Sequence, residues 1–429
     1  MKKLLTLILL SFTLILSSCT TTIPNDNSLK YLNDVSMEIK EQEKNNSRKK
    51  IKEGDFLNKL ETFSSKLNYV VYEDYYEEEN MVVSPLSVFF AFAMEYETLE
   101  DDDKISLLNF LNMTDSDLFL VKHLINSLLP VGKDDTYNLK ISNTIWTNSD
   151  LNYDYKKDIL NTLSTKHYCG VIEAPFTSDN IGANKELREF IKKMTDGLID
   201  EDFDISNDMT FLLMNTLYFK DVWGNNELST RKEVFKDILG SETELDFNVG
   251  YYHMGKLQRE EKYEYTYIST MSDYKLTFIR PKDGFEIKDI YSVDLIKEVN
   301  SHKYLYTDSA TRTDYHSRCI FPTFKVESSY NLVETLLKHY DFDNLFINYH
   351  SKLIDEDMFI SDVIHKVVYS ADKKGTEGAA VTIIGNKATS VGPINKQVYE
   401  ELILDKPFAF VLSSPDGVVL FSGIINILN

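Results

Sequence analysis

Apolar residues recur every three to four positions in "FLNKLETFSSKLNYVVY", placing Phe56, Leu60, Phe63 and Leu67 on one side of a helix. Folded structure is therefore expected from about Ile51 onward. A second helix is predicted at "SPLSVFFAFAMEY", with Ser84 as N-cap and Pro85 at the first helical position, where its missing N–H costs nothing. That helix is apolar nearly all round, which places it inside a large core. Between the two, "YEDYYEEEN" (Tyr72 to Asn80) loses the period and reads as an acidic, solvated loop. Downstream, "NKELREFIKKMTDGL" carries the helical period, whereas "MTFLLMNTLYFKDVW" and "YKLTFIRPKDGF" read as strands. Asp416-Gly417 in "SSPDGVV" signals a hairpin between two apolar strands. No linker or fixed-period repeat interrupts 51–429, and helices mixed irregularly with hairpin-linked strands predict one large α+β domain.

One segment fits neither pattern. "KKGTEGAAVTIIGNKATSVGP", Lys373 to Pro393, has a single charge, Glu377, between Lys374 and Lys387, and lies between two runs that read as buried strands. Exposed loops are richer in Ser, Asp, Asn and Lys, and structureless loops of this length usually carry function. Read with period two, one face is Thr376, Gly378, Ala380, Thr382, Ile384 and Asn386, all small, neutral or apolar. The other face holds Glu377, Ala379, Val381, Ile383 and Gly385.

The N-terminus adds a location. Lys2 and Lys3 precede an apolar run from Leu4 to Leu16, the form of a signal peptide and too short to span a bilayer. Leu16-Ser17-Ser18-Cys19 resembles the lipobox of bacterial lipoproteins, so residues 1–18 are expected to be removed and Cys19 lipidated. The polar span 19–50 then reads as a flexible tether, and two acyl chains would hold it at the cell-envelope surface. With an ordinary cleaved signal the protein would be secreted.

Composition excludes several functions. With 46 basic and 68 acidic residues the formal charge is −22, and no clustered basic face suits nucleic acid. Cys169 and Cys319 would remain after processing; they either pair in an oxidising compartment or stay as two buried thiols. None of the histidines forms an HExxH or HxxxH pattern, and no GxSxG, GxxxxGK[ST] or GxGxxG loop occurs. Neither an enzyme, a metal site nor a cofactor is expected. His365 is a polar residue in the strand-like "SDVIHKVVYS"; its reading is a satisfied core histidine, with Ser84, Ser87 and Asn215 as candidate partners.

Five segments in order resemble the serpins, over residues 55 to 429: "NMVVSPLSVFFAFAM", "LLMNTLYFKDVW", "PTFKVESSYNLVETLLKHYDFDNLF", "FISDVIHKVVYSADKKGTEGAAVT" and "LILDKPFAFVLSSPDGVVLFSGII". The resemblance implies three β-sheets, eight or nine helices and an exposed reactive-centre loop. Ser84, Ser87, Asn215 and His365 match the polar cluster beneath the main sheet, and Trp223 the residue under the top of its opening. Gly375, Thr376, Glu377, Gly378, Ala379, Ala380 and Thr382 become the hinge. It implies a monomeric suicide inhibitor that traps an extracellular serine or cysteine endopeptidase covalently, as the cut loop inserts into the main sheet. A non-inhibitory serpin, acting as a surface binding protein or protease substrate, is the alternative.

Counting forward from Gly375 by the family's spacing puts the scissile bond at Thr389-Ser390; counting back from "EELILDKPF" puts it at Lys396-Gln397. Trapping depends on how taut the inserted strand pulls, which favours the forward count and a protease accepting small side chains. Lys387 or Lys396 would suit a trypsin-like enzyme. Two departures stand out: "EYETLEDDDKISLLNFL" lacks the family's glycines, and Lys373 replaces the usual glutamate, which would loosen the top of the sheet.

Overall fold

The computed structural model describes residues 30–33, 54–129, 137–203, 205–224, 227–340, 342–376 and 395–428. The segment 1–18 and Cys19 lie outside them.

Helix α1 (Gly54–Tyr75) buries Phe56, Leu60, Phe63 and Leu67, as the spacing requires. It also takes in Tyr72 to Tyr75, which the sequence reading placed in a loop. The Tyr72 ring stacks on Tyr291 with centroids 4.4 Å apart and packs on Tyr76 at 4.7 Å, so aromatic contact extends the helix past the end of its apolar period. Helix α2 (Pro85–Thr98) is buried on nearly every side, with Pro85 at its first turn. Ser84 precedes it but does not cap it; its hydroxyl donates to the Leu420 carbonyl at 2.8 Å. The remaining helices are α3 (Lys104–Leu111), α4 (Asp115–Leu118), α5 (Val121–Leu128), α6 (Lys157–His167), α7 (Asn180–Met194), α8 (Ile287–Ile290), α9 (Leu295–Asn300), α10 (Val333–His339) and α11 (Asp343–Ile347). The described residues thus hold eleven helices, where eight or nine were expected; α4 and α8 are four-residue turns of helix. Where "EYETLEDDDK" lacks glycines, Leu99 leaves α2 in extended conformation and bridges Ser351.

The main sheet runs β1 (Lys30–Asn33), β4 (Cys169–Ala174), β3 (Asn138–Asn148), β5 (Phe211–Val222), β18 (Gly375–Thr376). Beside it stands the antiparallel pair β14 (Phe324–Asn331) and β17 (Ile364–Ala371). A second sheet runs β2 (Met81–Val83), β21 (Val419–Ile425), β20 (Phe408–Ser413), β11 (Lys275–Pro281), β10 (Tyr263–Ser269), β9 (Gln258–Arg259). A third is built on β12 (Thr307–Asp308), β13 (Thr313–Pro322), β7 (Glu242–Val249) and β6 (Ser229–Lys236), with β8 (His253–Met254) and β19 (Lys396–Ile403) joined to β13. A small hairpin, β15 (Tyr349–Ser351) with β16 (Glu356–Met358), completes the strands. The predicted hairpin joins β20 to β21 through Gly417, whose φ of 86° suits a residue without a Cβ.

The fold is thus α+β with three principal sheets, the first of them divided. Phe278, Phe324, Phe408 and Phe410 form an aromatic core under it, ring centroids 4.8–6.4 Å apart with their neighbours Phe321 and Tyr369. Cys169 and Cys319 are free and buried in different sheets, and burial pushes both thiols far above their usual range. The span 19–50, expected as one free tether, contains β1, which pairs antiparallel with β4.

Candidate functional site: an opened sheet with a docked hinge

The main sheet parts between β5 and β17. No backbone pairing links these two strands among the described residues, and the gap is a cleft of about 790 Å³ counting its open mouth. Asn215, Leu217 and Phe219 line it from β5, and Val367 and Tyr369 from β17. Ser84, Ser87 and Phe421 reach it from below; Ile191, Leu198, Ile199 and Phe203 reach it from α7 and the segment that follows.

The top of the gap is filled. There β18 pairs antiparallel with β5, Gly375 opposite Val222 and Thr376 opposite Asp221. Around it the Trp223 amide donates to the Lys374 carbonyl at 3.2 Å, and the Leu228 amide donates to the Lys373 carbonyl at 2.7 Å. The Trp223 indole N–H donates to the Asp372 carbonyl at 2.7 Å. Asp372 shapes the turn, its carboxylate accepting from the Lys374 and Gly375 amides at 2.6 and 3.1 Å. Gly375 is required by contact: a Cβ there would sit 2.1 Å from the Asp221 carbonyl oxygen. Thr376 is buried, the small residue its position demands. Asp221 is buried too, and burial pushes its carboxyl up to about 6 despite donation from Thr270, Ser272 and the Val222 amide.

Lower down, the polar groups gather but do not form one cluster. His365 Nε2 accepts the Ser84 amide at 3.0 Å, so the partner is backbone rather than the serine hydroxyl. Burial pushes the ring down to about 4, leaving it neutral. Ser87 donates to the Asn215 carbonyl at 3.4 Å. Asn215 Nδ2 donates to Asn143 Oδ1 at 2.7 Å, and Asn143 in turn to the His167 carbonyl at 2.7 Å. Asn215 Oδ1 and the Tyr369 hydroxyl are buried without a hydrogen-bond partner among the described residues. Asn215 and His365 stand on opposite walls and share no hydrogen bond among the described residues.

The family Serpin (serine protease inhibitor) matches residues 58–427. The chain belongs to the serpin family. Similar proteins include Iripin-1 of Ixodes ricinus, 26% identical over 82% of this chain and 90% of that protein. An uncharacterized serpin-like protein of Methanosarcina mazei is 25% identical over 84% of this chain and 83% of its own length. Among solved structures, the thermophilic serpin tengpin in its native state superposes with a TM-score of 0.71, at 22% identity over 93% of this chain and all of its own. Human thyroxine-binding globulin complexed with its ligand gives 0.67, at 18% identity over 86% of this chain and 98% of its own. Both support the fold.

The remaining candidates divide. Of the residues expected to form a hinge, Gly375 and Thr376 are described; Glu377, Gly378, Ala379, Ala380 and Thr382 fall outside the described residues, as do Lys387, Thr389 and Ser390. Lys396 and Gln397 are described, and as a reactive bond they are set aside. They begin β19, opposite Thr313 and Asp314, with the Lys396 amide on the Arg312 carbonyl at 2.8 Å and the Gln397 side chain on Asp314 at 2.8 Å. A peptide bond held in a sheet is not offered to a protease. Lys373, expected to loosen the top, instead pairs with Glu227 at 2.6 Å. Glu227, Asp221 and Asp372 were missed by sequence reading; only Asp372, two residues before its turn amides, left a local signal. No group of residues able to hold a metal occurs among the described residues.

Proposed function

We propose that the chain is a suicide inhibitor of an extracellular serine or cysteine endopeptidase, with Thr389-Ser390 as the cut bond, acting as a monomer lipid-anchored through Cys19. The observation that carries this reading is the cleft, unpaired along β5 and β17 and already entered at its top by the first two hinge residues. A loop cut beyond residue 387 can continue the course of β18 downward. Its inward face from Thr376 through Asn386 is small, neutral or apolar, and fits between the strands. About a dozen residues gaining strand hydrogen bonds at about 1 kcal/mol net each would release on the order of 10 kcal/mol. That matches the whole stability of an ordinary domain, enough to carry an acyl-linked enzyme along and distort it before hydrolysis. The chain itself supplies no catalytic group in this scheme.

Incubation with elastase, subtilisin or trypsin should give a complex that survives denaturing electrophoresis. Thr376→Arg, which forces a charge into the buried face, should be cut without trapping. Cleavage of the unaltered chain with no complex and no gain of heat stability would favour the non-inhibitory alternative. Mass spectrometry of the released peptide fixes the bond.

A further inference from the structure

The end of helix α2 buries an acid in an apolar setting. Glu95 is 7% exposed, and its Oε1 has no hydrogen-bond partner among the described residues. The groups that act on its carboxyl are the hydroxyls of Tyr349, from β15, and Thr98, from its own helix. The Thr98 hydroxyl already donates to the Glu95 backbone carbonyl at 2.9 Å, so toward the side chain it can only accept. A carboxylate, which accepts at both oxygens, therefore has one donor here, Tyr349. A neutral carboxylic acid can instead give its own proton to Thr98. No cation is among the groups that offset the charge. Asp103, in the turn after α2, adds negative charge beside Tyr349. Lys352 is held by Glu100 and Asp101 at 3.3 and 3.2 Å, and Lys104 by Asp101 at 3.2 Å. Burial accordingly pushes the Glu95 carboxyl up to about 7.

The β15–β16 hairpin packs against this acid. Leu99, just past α2, bridges Ser351, and the Lys352 amide donates to the Thr98 carbonyl at 2.7 Å. Between the two strands Leu353 and Ile354 are buried in one cluster with Met94, Ile145 and Cys169. The hairpin thus meets Glu95 with its first strand and the Cys169 cluster with its turn. Its other ties are ion pairs at the surface, which salt screens: Lys156 with Asp355 at 3.2 Å, and His350 with Asp357 and Asp355 at 3.0 and 3.3 Å.

We propose that protonated Glu95 clasps the β15–β16 hairpin to the end of α2, and that loss of this proton lets the hairpin lift and uncover the cluster around Cys169. The clasp does not depend on the inhibitor reading. In the closed state Glu95 keeps its proton up to about pH 7; once water reaches it, it ionises near 4.3. Between those values each opening releases one proton, so the open fraction rises about tenfold per pH unit and levels above about pH 7. His350 adds a step of the same sign, because deprotonation ends its pairing with Asp355 and Asp357.

The test is hydrogen exchange of the full chain from pH 5 to pH 8 in 0.5 M salt, corrected for the chemical rate of each amide. Protection at residues 349–358 should fall about tenfold per pH unit up to about pH 7 and then level. Glu95→Gln, which has no proton to lose, should hold it constant, and His350→Asn should leave the slope in place. Tyr349→Phe removes the one donor to the carboxylate, so its fall should continue beyond pH 7. At pH 7.5 a thiol reagent should label Cys169 about tenfold more slowly in Glu95→Gln than in the original chain. Protection that ignores pH in the original chain overturns the clasp, as does an equal fall in Glu95→Gln. If Glu95→Gln does not fold, levelling of Tyr349→Phe below pH 7 overturns it instead. A parallel loss of protection in β20 and β21 also overturns it, because Glu95 would then act on the whole fold and not on the hairpin.

Discussion

At His365 the imidazole is buried, with Nε2 committed as an acceptor from Ser84 and its affinity for a proton lowered to a pKa of about 4. An unfolded histidine titrates near 6.5, so between those values the unfolded chain binds a proton that the folded ring refuses. Stability from this group is therefore full above about 6.5 and is lost as pH falls toward 4, by about 3 kcal/mol at the limit. His365→Gln keeps an acceptor for the Ser84 amide but has no proton to take up. Its urea midpoint should fall less than that of the original chain between pH 7 and pH 4.5; parallel decline would contradict the assignment. The comparison must be made between the two chains, because buried Glu95, pushed up to about 7, titrates with the opposite sign. Its folded carboxyl prefers the proton, so it costs stability as pH rises through the window from 4.5 to 7.

At the scale of elements, the short strand β18 depends on close backbone contact. Gly375→Ala would drive a methyl group against the Asp221 carbonyl, so β18 should leave β5, and the turn before it would rest on the Trp223 and Leu228 hydrogen bonds and the Lys373–Glu227 pair. That pair is exposed and screened by water, so it holds little by itself. Limited proteolysis should then cut near residues 372–376 markedly faster than in the original chain, with β20 and β21 still intact. An unchanged digestion pattern would show that Gly375 is not what admits the strand. Much at this scale was legible beforehand. α1 and α2 announce themselves by apolar spacing, β5 and β11 by length and composition, and the β20–β21 turn by Asp416-Gly417. What stayed hidden depends on distant partners. Tyr72 becomes helical because Tyr291, more than two hundred residues away, supplies a ring. Lys373 is neutralised by Glu227, and His365 finds a backbone amide rather than a side chain. The sequence marks which residues are unusual, but the cleft exists only because β5 and β17 do not meet, and no local pattern records a missing pairing.

For the whole molecule, the proposed mechanism requires that the unfilled main sheet hold energy back until the loop is cut. If insertion releases on the order of 10 kcal/mol, the cut protein should unfold about 10 to 15 °C above the intact one in scanning calorimetry. Equal midpoints would remove the driving force from the proposed mechanism. The anchor is tested separately: Cys19→Ser should move the protein from the membrane to the soluble fraction, and a variant that stays with the membrane would refute lipidation at that residue. No described helix is long and apolar enough to cross a membrane.

The pairing of Lys30–Asn33 with the outer edge of β4 would give a lipid anchor on Cys19 a fixed length. From Cys19 to Lys30 is eleven residues, which at full extension reach about 36 to 40 Å. A lipid on Cys19 would therefore be leashed to the flank of the main sheet rather than to α1, and the body could sample only a shallow layer above the bilayer. Enzymes bound to the same envelope would meet the bait at a high effective concentration, while those whose catalytic clefts stand farther out would be beyond its range.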